Sequence, residues 1–262
     1  MSDHGQGAPG EPGDSAGQPW AGRTFAAHDT AYAGDDGSAD PRLLRALTSF
    51  GAGEVGENVV VDALRPARLL IPLVAHAGEE GENEHGVRVD KTQELAIVTV
   101  RGPDGRDVLP AFTSVDTLRA WDPRARPVPA DARRIALAAA AERTELLVLD
   151  PASATEFGVR RPALWAVAQD LPWEPSYADD DVARAFLRGT AQEPQITSLT
   201  IAPGSARASL VGTEVVVSLG IVPGLDRVAL QQLLARVQGG WTADELIAAR
   251  VDSLAVKLVA AG

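Results

Sequence analysis

The amino-acid sequence has 262 residues, of which 45% are hydrophobic and 23% charged, so most of the chain can form a buried core and two domains are expected. It contains no cysteine, which excludes disulfides, thiolate metal sites, iron–sulfur clusters and a cysteine nucleophile. Its net charge of −12 has the wrong sign for phosphate contacts, so we expect no nucleic-acid partner.

Membrane association is not expected either. The longest strongly apolar run, residues 135–141, has seven residues, whereas a membrane-spanning helix needs roughly 20. The N-terminus also lacks the basic-then-apolar pattern of a signal peptide. We therefore expect a soluble cytoplasmic protein without a membrane partner.

Residues 1–41 have the composition of a disordered tail. They contain eight glycines, four prolines, seven acidic residues and one basic residue, with no apolar period. Such a segment buries too little apolar surface to offset the entropy lost on ordering. We predict a disordered acidic tail ahead of the folded part of the chain.

The first folded region is predicted to run over residues 42–175. Apolar residues at helical spacing predict helices near its start, and near-continuous apolar runs predict strands. In chain order, the predicted elements are helices at 43–47 and 55–64, a strand at Arg68–Ala75, a loop at 78–86, a strand at 95–100, a turn at 102–105 and a strand at 108–112.

Thr113 is predicted to start the next helix, because Asp116 stands three residues later in capping-box form. That helix should reach Trp121. Further predicted elements are a helix at 131–142, a strand at 145–149 and a helix at Arg161–Gln169. Strands that alternate with helices predict an α/β, or mixed α+β, fold.

A smaller α+β domain is predicted at residues 176–262. Residues 171–181 hold two prolines and three consecutive aspartates, which indicates a linker and the acidic start of a helix through Leu187. The remaining predicted elements are strands at 195–201, 206–210 and 214–221, a helix from its Asp226 cap through Val237, and a last strand in which Leu254, Val256 and Leu258 alternate.

Two glycine patterns of the dinucleotide-binding type occur, at residues 5–10 and 51–56. That mechanism needs a strand before the glycine turn and a helix after it. The first pattern lies in the predicted tail and the second follows a helix-like segment, and no Walker-type sequence is present. We therefore expect no cofactor.

One cluster has plausible metal-ligand types, and it lies around the predicted loop at 78–86. Because glycines interrupt it, a solvated acidic loop is the favoured interpretation and no specific metal is expected. Its members are His76, Glu79, Glu80, Glu82, Glu84 and His85.

Asp150 follows a predicted buried strand, a place where ligands often bind in open α/β sheets. The chain has no Gly-x-Ser-x-Gly elbow for a serine hydrolase. Ser153 and Glu156 also have capping-box spacing, so the favoured interpretation is a structural passage from loop to helix. A hydrolase or transferase acting at the Asp150 loop stays open as an alternative.

The densest basic stretch of this acidic chain follows Trp121 and includes Arg124 and Arg126. Arginine beside tryptophan is the composition favoured at interface anchors. Pairing of these arginines with the acidic loop or tail of the same chain would give the same pattern. We interpret the stretch as a candidate surface for an acidic partner.

Four segments resemble the N-terminal domain of the SseB family, which is named for enhanced serine sensitivity. They are RLLIPLVA (68–75), KTQELAIVTV (91–100), LPAFTSVDTLRAW (109–121) and LLVLDPAS (146–153). Residues 195–260, with LGIVPGLD and VDSLAVKLV, are similar to the C-terminal domain of actinobacterial members. The resemblance implies no established reaction and brings no catalytic set to these positions.

The sequence thus favours a non-enzymatic interaction or regulatory protein with a protein partner, and it carries no signal for an oligomeric state. Thr113 and Ser114 would cap the helix, Phe112 and Trp121 would anchor it, and Arg124 with Arg126 would meet an acidic group. A second alternative beside the Asp150 enzyme is a small-molecule sensor of the amino-acid type, which only the family's name suggests. The candidate interface residues are Phe112, Thr113, Ser114, Trp121, Arg124 and Arg126.

Overall fold

Helices and short strands follow one another in the computed structural model of the chain, which describes residues 32–75, 81–82, 88–89, 95–97, 99–141 and 144–260. The helices are α1 (Pro41–Gly51), α2 (Glu57–Leu64), α3 (Val115–Trp121), α4 (Ala132–Ala141), α5 (Arg161–Gln169), α6 (Asp180–Thr190), α7 (Arg227–Ala243) and α8 (Glu245–Arg250). The strands are β1 (Arg68–Ala75), β2 (Gly81–Glu82), β3 (Arg88–Val89), β4 (Leu95–Ile97), β5 (Val100–Arg101), β6 (Asp107–Ala111), β7 (Arg126–Asp131), β8 (Leu147–Leu149), β9 (Phe157–Val159), β10 (Ile196–Pro203), β11 (Val215–Ile221) and β12 (Leu254–Ala260). This content confirms the predicted mixed α+β class.

Several elements begin where local sequence signals place them. Asp40 caps α1 and Pro41 occupies its first turn, where a missing backbone N–H costs nothing. Strand β1 and helix α5 have the predicted bounds. Asp226 caps α7 as predicted, although the helix continues past Val237 to Ala243.

The strands form separate small sheets. One sheet has the order β4-β1-β7 and is antiparallel. A second has the order β5-β6-β8-β9, in which only β6 and β8 run parallel, and a third has the order β10-β11-β12 with β11 and β12 parallel. An isolated bridge between Leu70 and Phe112 joins the first sheet to the chain that leaves β6.

The apolar run at residues 95–100 does not form the single strand that was predicted. Its first part is β4, which pairs with β1, and its last part is the start of β5, which pairs with β6. The β5–β6 connection is the predicted turn at 102–105, where Gly105 has a φ of +83° and its N–H donates to Gly102 O. A continuous apolar run contains no local signal for the point at which the chain leaves one sheet for another.

The predicted strand at residues 206–210 was wrong. This segment is a loop whose Ala208 carbonyl accepts a hydrogen bond of 2.9 Å from Gly158 N, beside the edge strand β9. Leu210 is buried in the hydrophobic cluster that includes residues of β6 and β8. The loop is apolar because it covers a sheet, and burial of this kind gives the same composition as a strand.

The predicted loop at 78–86 contains one short strand, because Gly81–Glu82 form β2 and pair antiparallel with β3. The rest of that loop lies outside the described residues, as do residues 1–31 of the tail predicted at 1–41; Pro41, the last residue of that prediction, begins α1.

Two large hydrophobic clusters lie within Gly37–Gly262, which forms one compact unit. The first cluster packs α1, α2, α4 and α5 on strands of the first two sheets. The second packs α6, α7 and α8 on the β10-β11-β12 sheet. A domain boundary near residue 175 stays a prediction.

Among the described residues, no helix has both the length and the apolar character needed to cross a membrane.

Candidate functional site

Helix α3 is capped by Ser114, one residue later than the sequence predicted. Ser114 Oγ accepts a hydrogen bond of 3.1 Å from Thr117 N, and Thr117 Oγ1 accepts one of 3.3 Å from Ser114 N. This reciprocal pair is the capping box, so the predicted cap at Thr113 and its partner Asp116 were wrong. Ser114 was correctly predicted to cap the helix.

Thr113 has a different role, because it binds the buried carboxylate of Asp150. Asp150 Oδ1 accepts hydrogen bonds from Thr113 N at 2.8 Å and from Thr117 Oγ1 at 2.7 Å. Its Oδ2 accepts from Thr113 Oγ1 at 2.7 Å and from Thr155 Oγ1 at 2.8 Å. The Asp150 site, defined as this carboxylate and its three threonines, joins the loop after β8 to the start of α3.

The Asp150 site is closed. Asp150 has no exposed surface and Thr113 is 1% exposed. Each of the two Asp150 carboxylate oxygens accepts two hydrogen bonds from the protein. The backbone of Asp150 is held in the left-handed region at a φ of +44°, a conformation that aspartate tolerates better than most residues. A carboxylate with this environment positions two loops and has no free lone pair for a substrate proton.

The predicted passage from loop to helix at Ser153 was wrong, because the strand β9 follows it. Ser153 Oγ accepts a hydrogen bond from Thr155 N, and Glu156 Oε2 accepts one of 2.7 Å from Ala152 N. These local hydrogen bonds close a turn. The two side chains accept hydrogen bonds from backbone N–H groups of a loop, as they would from those at the start of a helix.

Phe112 and Trp121 anchor the ends of the α3 segment, as predicted. Phe112 is fully buried in a cluster with Leu70 and Leu118. Trp121 is half-buried, and its ring lies 5.3 Å from the Phe112 ring, centroid to centroid, at an interplanar angle of 44°. This packing gives the following loop a rigid base. It also means that Phe112 supports a surface and is not itself available to a partner.

The residues after Trp121 carry exposed guanidinium groups. We call residues 119–126 the arginine segment, after its exposed Arg119, Arg124 and Arg126. The Arg124 side chain is 85% exposed and pairs with Asp122 at 3.3 Å. Within the part of the chain that the structure describes, Arg119 and Arg126 have no ion pair.

Among the described strands, β7, which begins at Arg126, lies at the edge of its sheet and pairs with β1 alone. It contains Pro127 and Pro129, whose rings remove backbone N–H donors. Prolines on an edge strand prevent a further strand from pairing there. Val128 between them is 38% exposed, so the edge offers side chains and few backbone donors.

A buried ionic group that the sequence analysis missed lies at Asp252, whose side chain is 1% exposed. Arg106 donates to both Asp252 oxygens at 2.8 and 2.9 Å, and Arg160 donates to Oδ2 at 3.0 Å. Burial opposes the charged carboxylate, but the hydrogen bonds and charges of both arginines outweigh burial and hold the pKa of Asp252 below its ordinary value of 3.8. The partners are 146 and 92 positions away in sequence, so no local pattern could identify them.

Glu214 lies next to this group and is partly buried. Its carboxylate accepts hydrogen bonds from Ser176 Oγ and from Asp252 N. Burial raises the pKa of Glu214, and its hydrogen bonds oppose that rise. Through these hydrogen bonds, Glu214, just before β11, connects to the segment before α6 and to Asp252. Asp252, just before β12, connects in turn to the β5–β6 turn and to the start of α5.

Within the described ranges, no group of three or more histidine, aspartate or glutamate side chains is arranged to hold a metal ion. The metal-type cluster discussed for the 78–86 loop lies outside the residues whose side chains the structure describes.

The protein has a mixed α+β fold. Its Asp150 carboxylate, which follows the buried strand β8, has a structural role. Residues 43–166 match the family model described as the SseB protein N-terminal domain, which is the family that the sequence resemblance predicted. Searches of curated proteins and of solved structures found no match. The expected C-terminal domain of actinobacterial type stays a prediction.

Proposed function

We propose that this protein is a non-catalytic interaction or regulatory protein, and that its arginine segment binds an acidic group on a protein partner. The observation that carries this proposal is the exposure of Arg124, 85% of its side chain, on a loop that the Trp121–Phe112 contact holds in place. Arginine on a rigid base loses little conformational entropy when it binds a carboxylate in a bidentate manner.

Charge supports the same assignment. The whole chain has a net charge of −12, yet residues 119–126 contain three arginines and one aspartate. Arg124 pairs with Asp122 at the protein surface, and surface ion pairs of this kind contribute little to stability. A partner carboxylate can therefore compete with Asp122 for the Arg124 guanidinium.

The edge strand limits the mode of binding. Because Pro127 and Pro129 interrupt the backbone donors of β7, a partner cannot extend this sheet by strand addition over those residues. Binding would use the Arg124 and Arg126 side chains with Val128 beside them. We therefore expect a salt-sensitive interaction with a folded acidic surface or an acidic peptide.

Catalysis at the Asp150 loop is not favoured. The carboxylate is fully buried and accepts four hydrogen bonds from the protein. A general base must reach a substrate proton directly or through one water. The burial of Asp150 leaves it without such access.

The test is affinity capture with the wild-type chain and with the Arg124→Ala/Arg126→Ala variant. The matched control is Arg207→Ala/Arg227→Ala, which removes the same charge from two other exposed arginines. We expect a partner that the wild-type and control chains capture at low salt and that the first variant loses, with unchanged melting temperatures. Equal capture by all three chains would refute the proposal, and so would equal loss in both variants.

A further inference from the structure

Two cavities, of about 450 Å³ and about 530 Å³, lie beside the segment 170–172, and Pro172 lines both. The larger cavity is the more polar of the two. The larger cavity lies where α1 and α2 meet the start of α4 and the end of α5. It shares no residue with the arginine segment. Its lining consists of Arg42, Asp62, Arg65, Pro66, Arg133, Asp170 and Pro172.

Arg65 is the most enclosed of the three arginines, since its side chain is 19% exposed. Its Nη2 pairs with Asp62 on the preceding turn of α2. Its Nε atom is buried and has no hydrogen-bond acceptor among the described residues, and the Asp170 Oδ1 atom lies 3.9 Å from it. A buried donor on a charged group without an acceptor is rare in native proteins, and the Arg65 guanidinium keeps donor capacity beyond its pair with Asp62.

The other two arginines bring charge that is not offset. Arg133 Nε donates to the Ala168 carbonyl at 3.1 Å, which fixes the guanidinium and leaves its two Nη groups for another acceptor. Across the described residues, the Arg42 guanidinium has no acceptor. Asp62 and Asp170 are largely exposed, at 51% and 61% of their side chains, so solvent screens their charges more than that of Arg65.

We propose that this cavity binds a small oxyanion, the carboxylate or phosphate group of a metabolite. Guanidinium groups bind such anions through paired N–H donors, and here three of them line one cavity. The bound oxyanion would accept hydrogen bonds from the Arg42 guanidinium and the Arg133 Nη groups, and the charge of Arg65 would add to the attraction. A volume of about 530 Å³ lies within the usual range for small-molecule sites, roughly 300–1,000 Å³.

The test is calorimetric titration of the full chain with inorganic phosphate and with succinate, each matched to sodium chloride of equal ionic strength. The variant is Arg42→Gln, which removes a guanidinium without any hydrogen bond among the described residues. The matched control is Arg45→Gln on the same helix, because Arg45 lines the neighbouring cavity and not this one.

We expect saturable binding of at least one probe, with a Kd that rises about tenfold in Arg42→Gln and is unchanged in Arg45→Gln. Tighter binding of phosphate or of succinate then distinguishes the two sources of the oxyanion. The proposal is overturned if neither probe shows saturable binding, if Arg42→Gln binds as the wild type does, or if Arg45→Gln loses as much affinity. None of these results depends on a protein partner, so they leave the proposed function to its own test.

Discussion

Replacement of Asp150 by alanine should be among the most damaging single changes in this chain. The side chain is fully buried, and its carboxylate accepts hydrogen bonds from one backbone N–H and three threonine hydroxyls. Alanine would leave these donors without their acceptor, including Thr113 N, which cannot rotate towards another one. Alanine would also have to adopt the left-handed backbone conformation at a φ of +44°, which it tolerates less well than aspartate does.

The expected cost follows from the unsatisfied donors. One buried donor without a partner costs about 1–3 kcal/mol. Because four donors lose their acceptor but the hydroxyls can partly reorient, we expect a loss of about 3–5 kcal/mol in the free energy of unfolding. Asp150→Asn keeps one oxygen for Thr113 N and should lose roughly 1–2 kcal/mol.

Urea unfolding followed by circular dichroism measures these differences, provided that the dependence on urea concentration is the same in each chain. Thr155→Val is a matched comparison, because it removes only one of the four hydrogen bonds to Asp150 and should cost about 1 kcal/mol. A loss below about 0.5 kcal/mol for Asp150→Ala, the range of ordinary surface changes, would refute the structural role given to this carboxylate.

Three further predictions test other parts of the fold. Phe112→Ala should lower the free energy of unfolding in urea by about 3–5 kcal/mol because it empties a fully buried site. Arg124→Ala should change that free energy by no more than about 0.5 kcal/mol. Similar losses in both variants would show that the arginine is structural. Asp252→Asn should cost about 3–5 kcal/mol of unfolding free energy at neutral pH. Because the folded pKa of Asp252 is lowered, the carboxylate's contribution to stability is present above the ordinary pKa of 3.8 and is lost as the pH falls through the lower folded pKa. A difference from the wild type that persists at lower pH would contradict the ion-pair role. Gly189→Ala would normally favour a helix, but its new methyl group would collide with the buried Trp241 indole. We therefore expect a loss of about 1–3 kcal/mol in the free energy of unfolding, measured by heat or urea. A gain in stability would show that the indole can move.

Local sequence signals were sufficient wherever an element is specified by its own residues. The apolar run of β1, the proline-initiated α5 and the Asp226 cap of α7 all appear as predicted. Each depends on the preference of a few neighbouring residues for one backbone conformation. The same holds for the anchoring roles of Phe112 and Trp121, because apolar aromatic residues at the ends of a short amphipathic helix are buried in almost any arrangement.

Local signals failed where two interpretations share one pattern. Both Thr113 and Ser114 can cap a helix, and each has a partner three residues later. Ser114 caps α3 because Asp150, 37 positions after Thr113, takes both the hydroxyl and the backbone N–H of Thr113. The apolar segment at 206–210 likewise fits a strand or a buried loop, and the carbonyl contact with Gly158 decides between them.

The sequence by itself determined the mixed α+β class, the similarity of residues 43–166 to the SseB N-terminal domain, most helix and strand positions, and the acidic chain with one arginine-rich stretch. Only the tertiary structure decided that Asp150 is closed, that Arg106 and Arg160 meet at Asp252, and that Arg42, Arg65 and Arg133 line one cavity. The reason is physical: conformational preferences and hydrophobic periods act over a few residues, whereas burial and ion pairing depend on distances between segments that the chain path alone brings together.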